Sequence, residues 1–207
     1  MKTFWLASVA IVLCGGEAAA QMGTGRSGMS TSSPLSNVRP YKELQSFGDC
    51  LARKARKSAL AIVATAPGSR EEDKVLKKYV FGEHETCLFG GTQMQMPAMF
   101  ARGAIAEGLL RAEGVPAEYR LPAPAPSAVR DLHGAARCYA SGHRREVQKL
   151  LQTDPGTPQE VQAVAAIWDG FRTCMPNFKV RLNAPWIRFL LAEALLRVEP
   201  KTTSSGQ

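Results

Sequence analysis

Residues 50–72 read CLARKARKSALAIVATAPGSREE, and residues 138–160 read CYASGHRREVQKLLQTDPGTPQE. At a single offset of 88, Cys50 meets Cys138, Ala52 meets Ala140, Arg56 meets Arg144 and Glu72 meets Glu160, without a gap. Between them Thr65-Ala66-Pro67-Gly68-Ser69 meets Thr153-Asp154-Pro155-Gly156-Thr157. Further out, an offset of 87 lays Thr86-Cys87 on Thr173-Cys174, and an offset of 86 lays the stretch from Arg102 to Arg111 on that from Arg188 to Arg197. Six of the twelve positions in 100–111 are identical to their counterparts. Chance readily supplies one such segment, but not three in order with both cysteine pairs in register. The reading is an internal duplication, with a period far longer than that of common solenoid repeats.

Each copy is expected to form three helices, giving an all-α fold of two tandem three-helix units. In the first helix, about Tyr41 to Ala64, Phe47, Leu51, Ala55, Ser58 and Ile62 recur at spacings of three and four. Pro67-Gly68 then signals a turn. Ser69 with Glu72, and Thr157 with Glu160, form a capping box at the start of the second helix. In that motif the hydroxyl accepts from one orphan backbone N–H and the glutamate from another. The second helix is expected over about 70–87 and 158–174, where Val164, Trp168, Phe171 and Met175 trace one face of the second copy. The third is expected over about 98–112 and 185–198. Its inner face is small in copy one (Ala101, Ala104, Ile105, Gly108) and bulky in copy two (Ile187, Leu190, Leu191, Ala194). Helix three of copy one is therefore able to approach a neighbour closely.

The cysteines fit this plan. Cys50 and Cys87 lie at similar distances along the two arms of a helical hairpin, given a rise of about 1.5 Å per residue. Bonds Cys50–Cys87 and Cys138–Cys174 are expected, one within each unit. Each closes a loop of nearly forty residues, worth about 3–4 kcal/mol in the chain-entropy account. The fifth cysteine, Cys14, lies in an N-terminal stretch that reads as a secretory signal. Lys2 gives a positive start, FWLASVAIVLC over 4–14 is apolar but too short to span a bilayer, and Ala18-Ala19-Ala20 prepares a cut before Gln21. An anchor helix and a lipid attachment at Cys14 are the alternatives. The first conflicts with the length, and the second with Leu13, where a small residue is required. Four cysteines in an exported chain point to disulfides rather than a metal site, since no C-x-x-C pair or close Cys/His spacing is present.

The expected organisation is a signal peptide at 1–20, a disordered tail at 21–38, helical repeat one at 39–112, a proline-rich semi-extended linker at 113–127, helical repeat two at 128–198 and a second tail at 199–207. The proline run 121–126 also reads, more weakly, as a proline-motif ligand. Composition agrees with an exported helical protein: 45% apolar, only 7% aromatic, and a net charge of +8 that signal cleavage leaves unchanged. No transmembrane segment is expected after cleavage, and the expected location is periplasmic or secreted.

Three groups of polar residues are candidates for function. Arg102, Glu107 and Arg111 recur as Arg188, Glu193 and Arg197. Glu107–Arg111 and Glu193–Arg197 stand one helical turn apart and are able to pair. The structural reading is a set of ion pairs, tying helix three to helix one. The sharper one is a pocket in each half whose arginines, Arg102 and Arg188, hold an anion. The second group is the basic run with Arg53, Arg56 and Lys57, together with Arg144 and Arg145. It is ordinarily a solvated face, but at +8 it also attracts anionic surfaces. The third is Glu83-His84-Glu85, whose adjacent side chains diverge by about 100 degrees on a helix. His133 and His143 have no histidine counterpart in the other copy.

No nucleophile elbow, P-loop, dinucleotide-binding glycine pattern or haem attachment site is present. The sequence therefore implies no cofactor and no metal, and does not identify an enzyme. The leading expectation is a non-catalytic binding protein of the bacterial envelope, whose partner is an envelope protein or an anionic surface component. Nucleic acid is not expected, because no aromatic residues interleave with the basic ones for stacking. The alternatives are a periplasmic hydrolase using Glu83, His84 or Glu107 as acid or base, and an inhibitor or stress protein that neutralises a secreted factor.

Overall fold

A computed structural model describes residues 38–83, 85–88, 98–112, 114–175, 180 and 182–199. The expected signal at 1–20, most of the expected N-terminal tail, His84 and the residues beyond 199 lie outside the described residues. Among the described residues the chain is all-helical, with eight α-helices and no strand ladder. They are α1 (Val38–Lys54), α2 (Arg56–Ala64), α3 (Arg70–Lys78), α4 (Ala98–Ala112), α5 (Leu132–Gly142), α6 (Arg144–Leu151), α7 (Pro158–Thr173) and α8 (Ala184–Arg197). None of the described helices is long and apolar enough to cross a membrane.

The expected first helix begins earlier and is bent. Val38, placed by sequence in the tail, opens α1. The helix breaks at Ala55 (φ −140°, ψ 48°), and the chain breaks again at His143 (φ −126°, ψ 38°) between α5 and α6. Hydrogen bonds cross both bends: Ala55 N–H to Leu51 O and Ala59 N–H to Ala55 O at 2.9 Å, and Val147 N–H to His143 O at 3.1 Å. The ladder therefore resumes directly after a kink. The residue type at Ala55 gives no sign of it, since alanine is the best helix former.

The turn after each bent helix is built as the capping signal requires. Ser69 accepts from the Glu72 N–H at 3.1 Å, and Thr157 from the Glu160 N–H at 3.4 Å. The glutamates reach one residue further back than the usual motif, accepting from Gly68 N–H at 2.7 Å and Gly156 N–H at 2.8 Å. Both glycines hold φ near +73°, a left-handed conformation that strains any residue with a Cβ.

The second helix differs between the halves. Whereas α7 runs unbroken to Thr173, α3 stops at Lys78 and continues as a π-turn over Tyr79–Glu83 and a 3-10 turn over Glu85–Cys87. Glu72 lies 15 residues before Cys87, but Glu160 only 14 before Cys174. The wider π-turn takes up one extra residue. Both cysteines thus reach their partners: Cys50–Cys87 joins α1 to the end of this segment, and Cys138–Cys174 joins α5 to the end of α7. The Cα separations are 5.6 and 5.9 Å.

Helices α4 and α8 lie at the centre and pack on each other. Every residue from Phe100 to Leu109 is buried, as is nearly all of α8. One apolar cluster gathers α1 to α4, and another gathers α5 to α8. Phe189 reaches from α8 into the first cluster, edge-on to Tyr41 and Phe100 at centroid distances of 5.5 and 5.7 Å. The small face of α4 lets backbones meet. A Cβ at Gly48 would strike the Ala104 carbonyl, one at Gly108 the Gly48 carbonyl, and one at Gly103 the Phe189 Cβ.

The proline-rich connection is more ordered than a semi-extended linker. It holds 3-10 turns at Ala117–Tyr119 and Pro126–Ala128. Leu121 forms a parallel bridge with Val198, through Leu121 N–H to Arg197 O at 2.6 Å and Glu199 N–H to Leu121 O at 3.1 Å. The connection is thereby fastened along the end of α8.

Candidate functional site

Helices α4 and α8 each carry buried arginine and a buried glutamate: Arg102 with Glu107 on α4, and Arg188 and Arg197 with Glu193 on α8. Arg102 is wholly buried. Its Nε donates to Glu193 at 2.7 Å, across the α4–α8 contact. Its Nη1 donates to Glu72 at 3.0 Å, Thr65 Oγ1 at 2.9 Å and Ile62 O at 3.0 Å, and its Nη2 to Val63 O and Thr65 O at 2.7 Å each. Arg188, 1% exposed, does the same in the opposite direction. It forks onto Glu107 at 3.0 and 2.7 Å, and reaches Glu160 at 3.1 Å, Thr153 Oγ1 at 3.2 Å and the carbonyls of Leu150, Leu151 and Thr153.

Each guanidinium therefore performs three tasks. It holds the last carbonyls of a bent helix (α2 or α6), which have no partner within that helix. It also grips the capping glutamate of the next helix and a glutamate of the opposing central helix. The two crossed pairs, Arg102–Glu193 and Arg188–Glu107, bind α4 to α8 reciprocally. Burial works against a charged Arg188, but the Glu107 hydrogen bonds and charge, with Tyr41 and Glu160, hold its pKa above the usual range. Tyr41 donates to Glu160 at 2.5 Å. Burial, against the pull of Arg188 and aided by Glu160, keeps that hydroxyl protonated far beyond its usual range.

A second layer surrounds the glutamates. Glu107 also accepts from Gln45 at 2.7 Å and from Arg111 at 2.5 Å, and Arg111 meets Asp49 at 2.8 Å. Glu193 has His133 Nδ1 at 2.8 Å and Arg197 at 3.6 Å. Both one-turn pairs expected from spacing are therefore present. Burial acts to raise the Glu193 pKa, but the His133 hydrogen bond and the Arg102 charge outweigh it and bring it down to about 2. Its folded pKa lies below the ordinary 4.5. The stabilisation from its ionised form is thus complete above that value and is lost as pH falls through the folded one. We expect unfolding free energy to decline between about pH 4.5 and about pH 2, and Glu193→Gln to flatten that part of the profile. Denaturant titrations across this range would show it. An equal slope in the variant would remove Glu193 as the titrating group.

The basic run divides into two sets. Arg56 and Arg144 are half-buried and tie down the ends of the central helices. Arg56 donates to Gly114 O beyond α4 at 2.9 Å, and Arg144 to Val198 O at the end of α8 at 3.4 Å. Arg53, Lys57 and Arg145 are exposed, as are the neighbouring Lys54 and Lys149.

The acid–base candidates do not converge. Glu83 is a surface group 3.7 Å from Lys78, His84 lies outside the described residues, and Glu107 is in the buried network. His143 stacks on Tyr139 with centroids 4.3 Å apart. Burial and then Glu146 push the Tyr139 hydroxyl up to about 12. Among the described residues no cluster of three metal-ligating side chains occurs.

Both arginines are legible in the sequence, but their main partners, the capping glutamates and the glutamate of the opposite central helix, are not. One signal was available. In AMFARGAIAEGLL, residues 98–110, apolar side chains surround the helix axis. Such a helix is buried all round, and charges within it must be paired. The chain matches no protein-family model, no curated protein and no solved structure.

Proposed function

We propose that this is an exported, non-catalytic binding protein of the bacterial envelope. It is built from two copies of one three-helix unit, over 39–112 and 128–198, and reaches an anionic partner through its basic exterior. The duplication is supported by the arginine contacts, which correspond position by position. Ile62, Val63, Thr65 and Glu72 around Arg102 stand where Leu150, Leu151, Thr153 and Glu160 stand around Arg188. Export is supported by the signal-like N-terminus and by two disulfides, which persist in oxidising compartments.

The observation that carries the binding reading is the division among the cations. Arg102, Arg188, Arg56 and Arg144 hold the fold together from within. Arg53, Lys57 and Arg145 stand on the surface of a chain of net charge +8 and are available to an acidic partner.

The test is capture from native envelope extract with the oxidised mature chain, beside a variant carrying Arg53→Glu, Lys57→Glu and Arg145→Glu. The expected result is one stoichiometric acidic protein, released by high salt and not captured by the variant, with the melting temperatures of the two baits nearly equal. Equal capture by the variant would remove the basic surface from the account. A small molecule co-purifying without protein would overturn the protein-partner reading.

A further inference from the structure

The two capping turns are alike in sequence but not in what covers them. The first turn of α1 lies over Gly156 and Glu160. Val38 packs on the glycine so closely that a Cβ there would come within 2.7 Å of Val38 Cγ2. Tyr41, 7% exposed, donates to Glu160 Oε1 at 2.5 Å. Over Gly68 and Glu72, no side chain among the described residues takes this place, and a Cβ at Gly68 would meet no atom within 4 Å.

The difference comes from where the covering helix starts. At the offset of 88, Val38 meets Pro126 and Tyr41 meets Val129. Pro126 opens a 3-10 turn, and α5 starts only at Leu132, behind the Asp131 cap, which accepts from Gly134 N–H at 2.6 Å. Val129 is buried in the second apolar cluster. The missing turn leaves an open groove of about 530 Å³, within the size range of small-molecule sites. Gly68 and Glu72 line it, with Met99, Leu132, His133 and Trp186. His133 is held against Glu193 as Gln45 is against Glu107, so it keeps its matched place in the wall.

The two carboxylates show what the groove lacks. Oε1 of Glu160 accepts from both Arg188 and Tyr41, whereas Oε1 of Glu72 accepts, among the described residues, from Arg102 alone. A carboxylate oxygen has room for a second donor. We propose that the groove binds a small phenol, with its hydroxyl donating to Glu72 and its ring against Met99, Leu132 and Trp186. A phenol does there what the Tyr41 side chain does in the other half. It covers the apolar wall with a ring and gives the buried carboxylate a charge-assisted hydrogen bond. An ionised acid is disfavoured, since its charge would face that of Glu72. The inference goes beyond the binding reading above: it uses the matched contacts of the two halves and not the basic exterior.

The test titrates p-cresol, which carries the ring and hydroxyl of tyrosine, into the oxidised full chain and follows indole N–H and methionine methyl resonances by NMR. The Trp186 indole and the Met99 methyl are expected to move together and saturate, while the Trp168 indole stays still. Glu72 belongs to the buried network, so its hydrogen bond is tested from the ligand side. Toluene, which lacks the hydroxyl, is expected to bind at least about tenfold more weakly, the loss of one charge-assisted hydrogen bond. Ala98→Trp, at a half-buried groove position outside the network, is expected to abolish the saturable Met99 shift with a melting temperature close to the parent. No saturation with p-cresol, equal affinity for toluene, or undiminished binding to Ala98→Trp would overturn the site. A tyrosine-containing pentapeptide that binds where p-cresol does not would also overturn it, and would assign the groove to a protein partner.

Discussion

Replacing Arg188 by alanine is expected to destabilise the protein by about 3–5 kcal/mol, the usual cost of removing one partner from a buried ion pair. The size follows from what remains. Glu107 and Glu160 are fully buried and would each lose a cation at 2.7 and 3.1 Å. The carbonyls of Leu150, Leu151 and Thr153 would lose a charged donor. Against a typical domain stability of about 5–15 kcal/mol this is a large fraction, and the melting temperature should fall by about 10 °C or more. Arg102→Ala should behave alike, because its contacts are equivalent. Arg53→Ala, at an exposed position, should stay within about 0.5 kcal/mol of the parent. Circular-dichroism melts of the three variants check the set. A wild-type melt for Arg188→Ala would mean that the buried network does not hold the fold.

Reducing both disulfides is expected to have the largest effect of all. The loops closed by Cys50–Cys87 and Cys138–Cys174 span 37 and 36 residues. Each is worth about 3–4 kcal/mol in the chain-entropy account. Together they approach the whole stability of an ordinary domain. The bonds also hold α1 to the end of the π-turn segment and α5 to the end of α7. A thiol-treated sample should therefore unfold at a much lower denaturant midpoint than the oxidised chain. Cys138→Ser with Cys174→Ser should account for about half of that drop. An unchanged midpoint on full reduction would show that packing alone sustains the helices.

The legible features were those written locally. Prolines, glycines and hydroxyl caps at 67–69 and 155–157 mark the turns, because each residue type acts on its own backbone. The cysteine pairing followed from arm lengths. What escaped were features that depend on elements distant in sequence. Helical spacing shows that Glu107 is able to meet Arg111 on its own helix, but not that Arg188 approaches from 81 residues away. The bend at Ala55 has no sign in its residue type, and the π-turn goes with a single extra residue between Glu72 and Cys87. In the polar set open to two readings, ion pairs or an anion pocket in each half, Arg102 and Arg188 are engaged by buried glutamates. Arg111 and Arg197 keep their one-turn contacts to Glu107 and Glu193.

Helices α4 and α8 are joined by reciprocal arginine–glutamate pairs as well as by apolar contact. A double-mutant cycle measures this tie most directly, using Arg102→Met, Glu193→Gln and the combined variant, with unfolding free energies from denaturant titration. The account predicts that each single change is strongly destabilising and that the combined one costs far less than their sum, leaving a coupling energy of about 2–3 kcal/mol, the upper part of the range for contacting residues. Single changes that simply add would contradict it, and would mean that the two central helices are held together by their apolar faces.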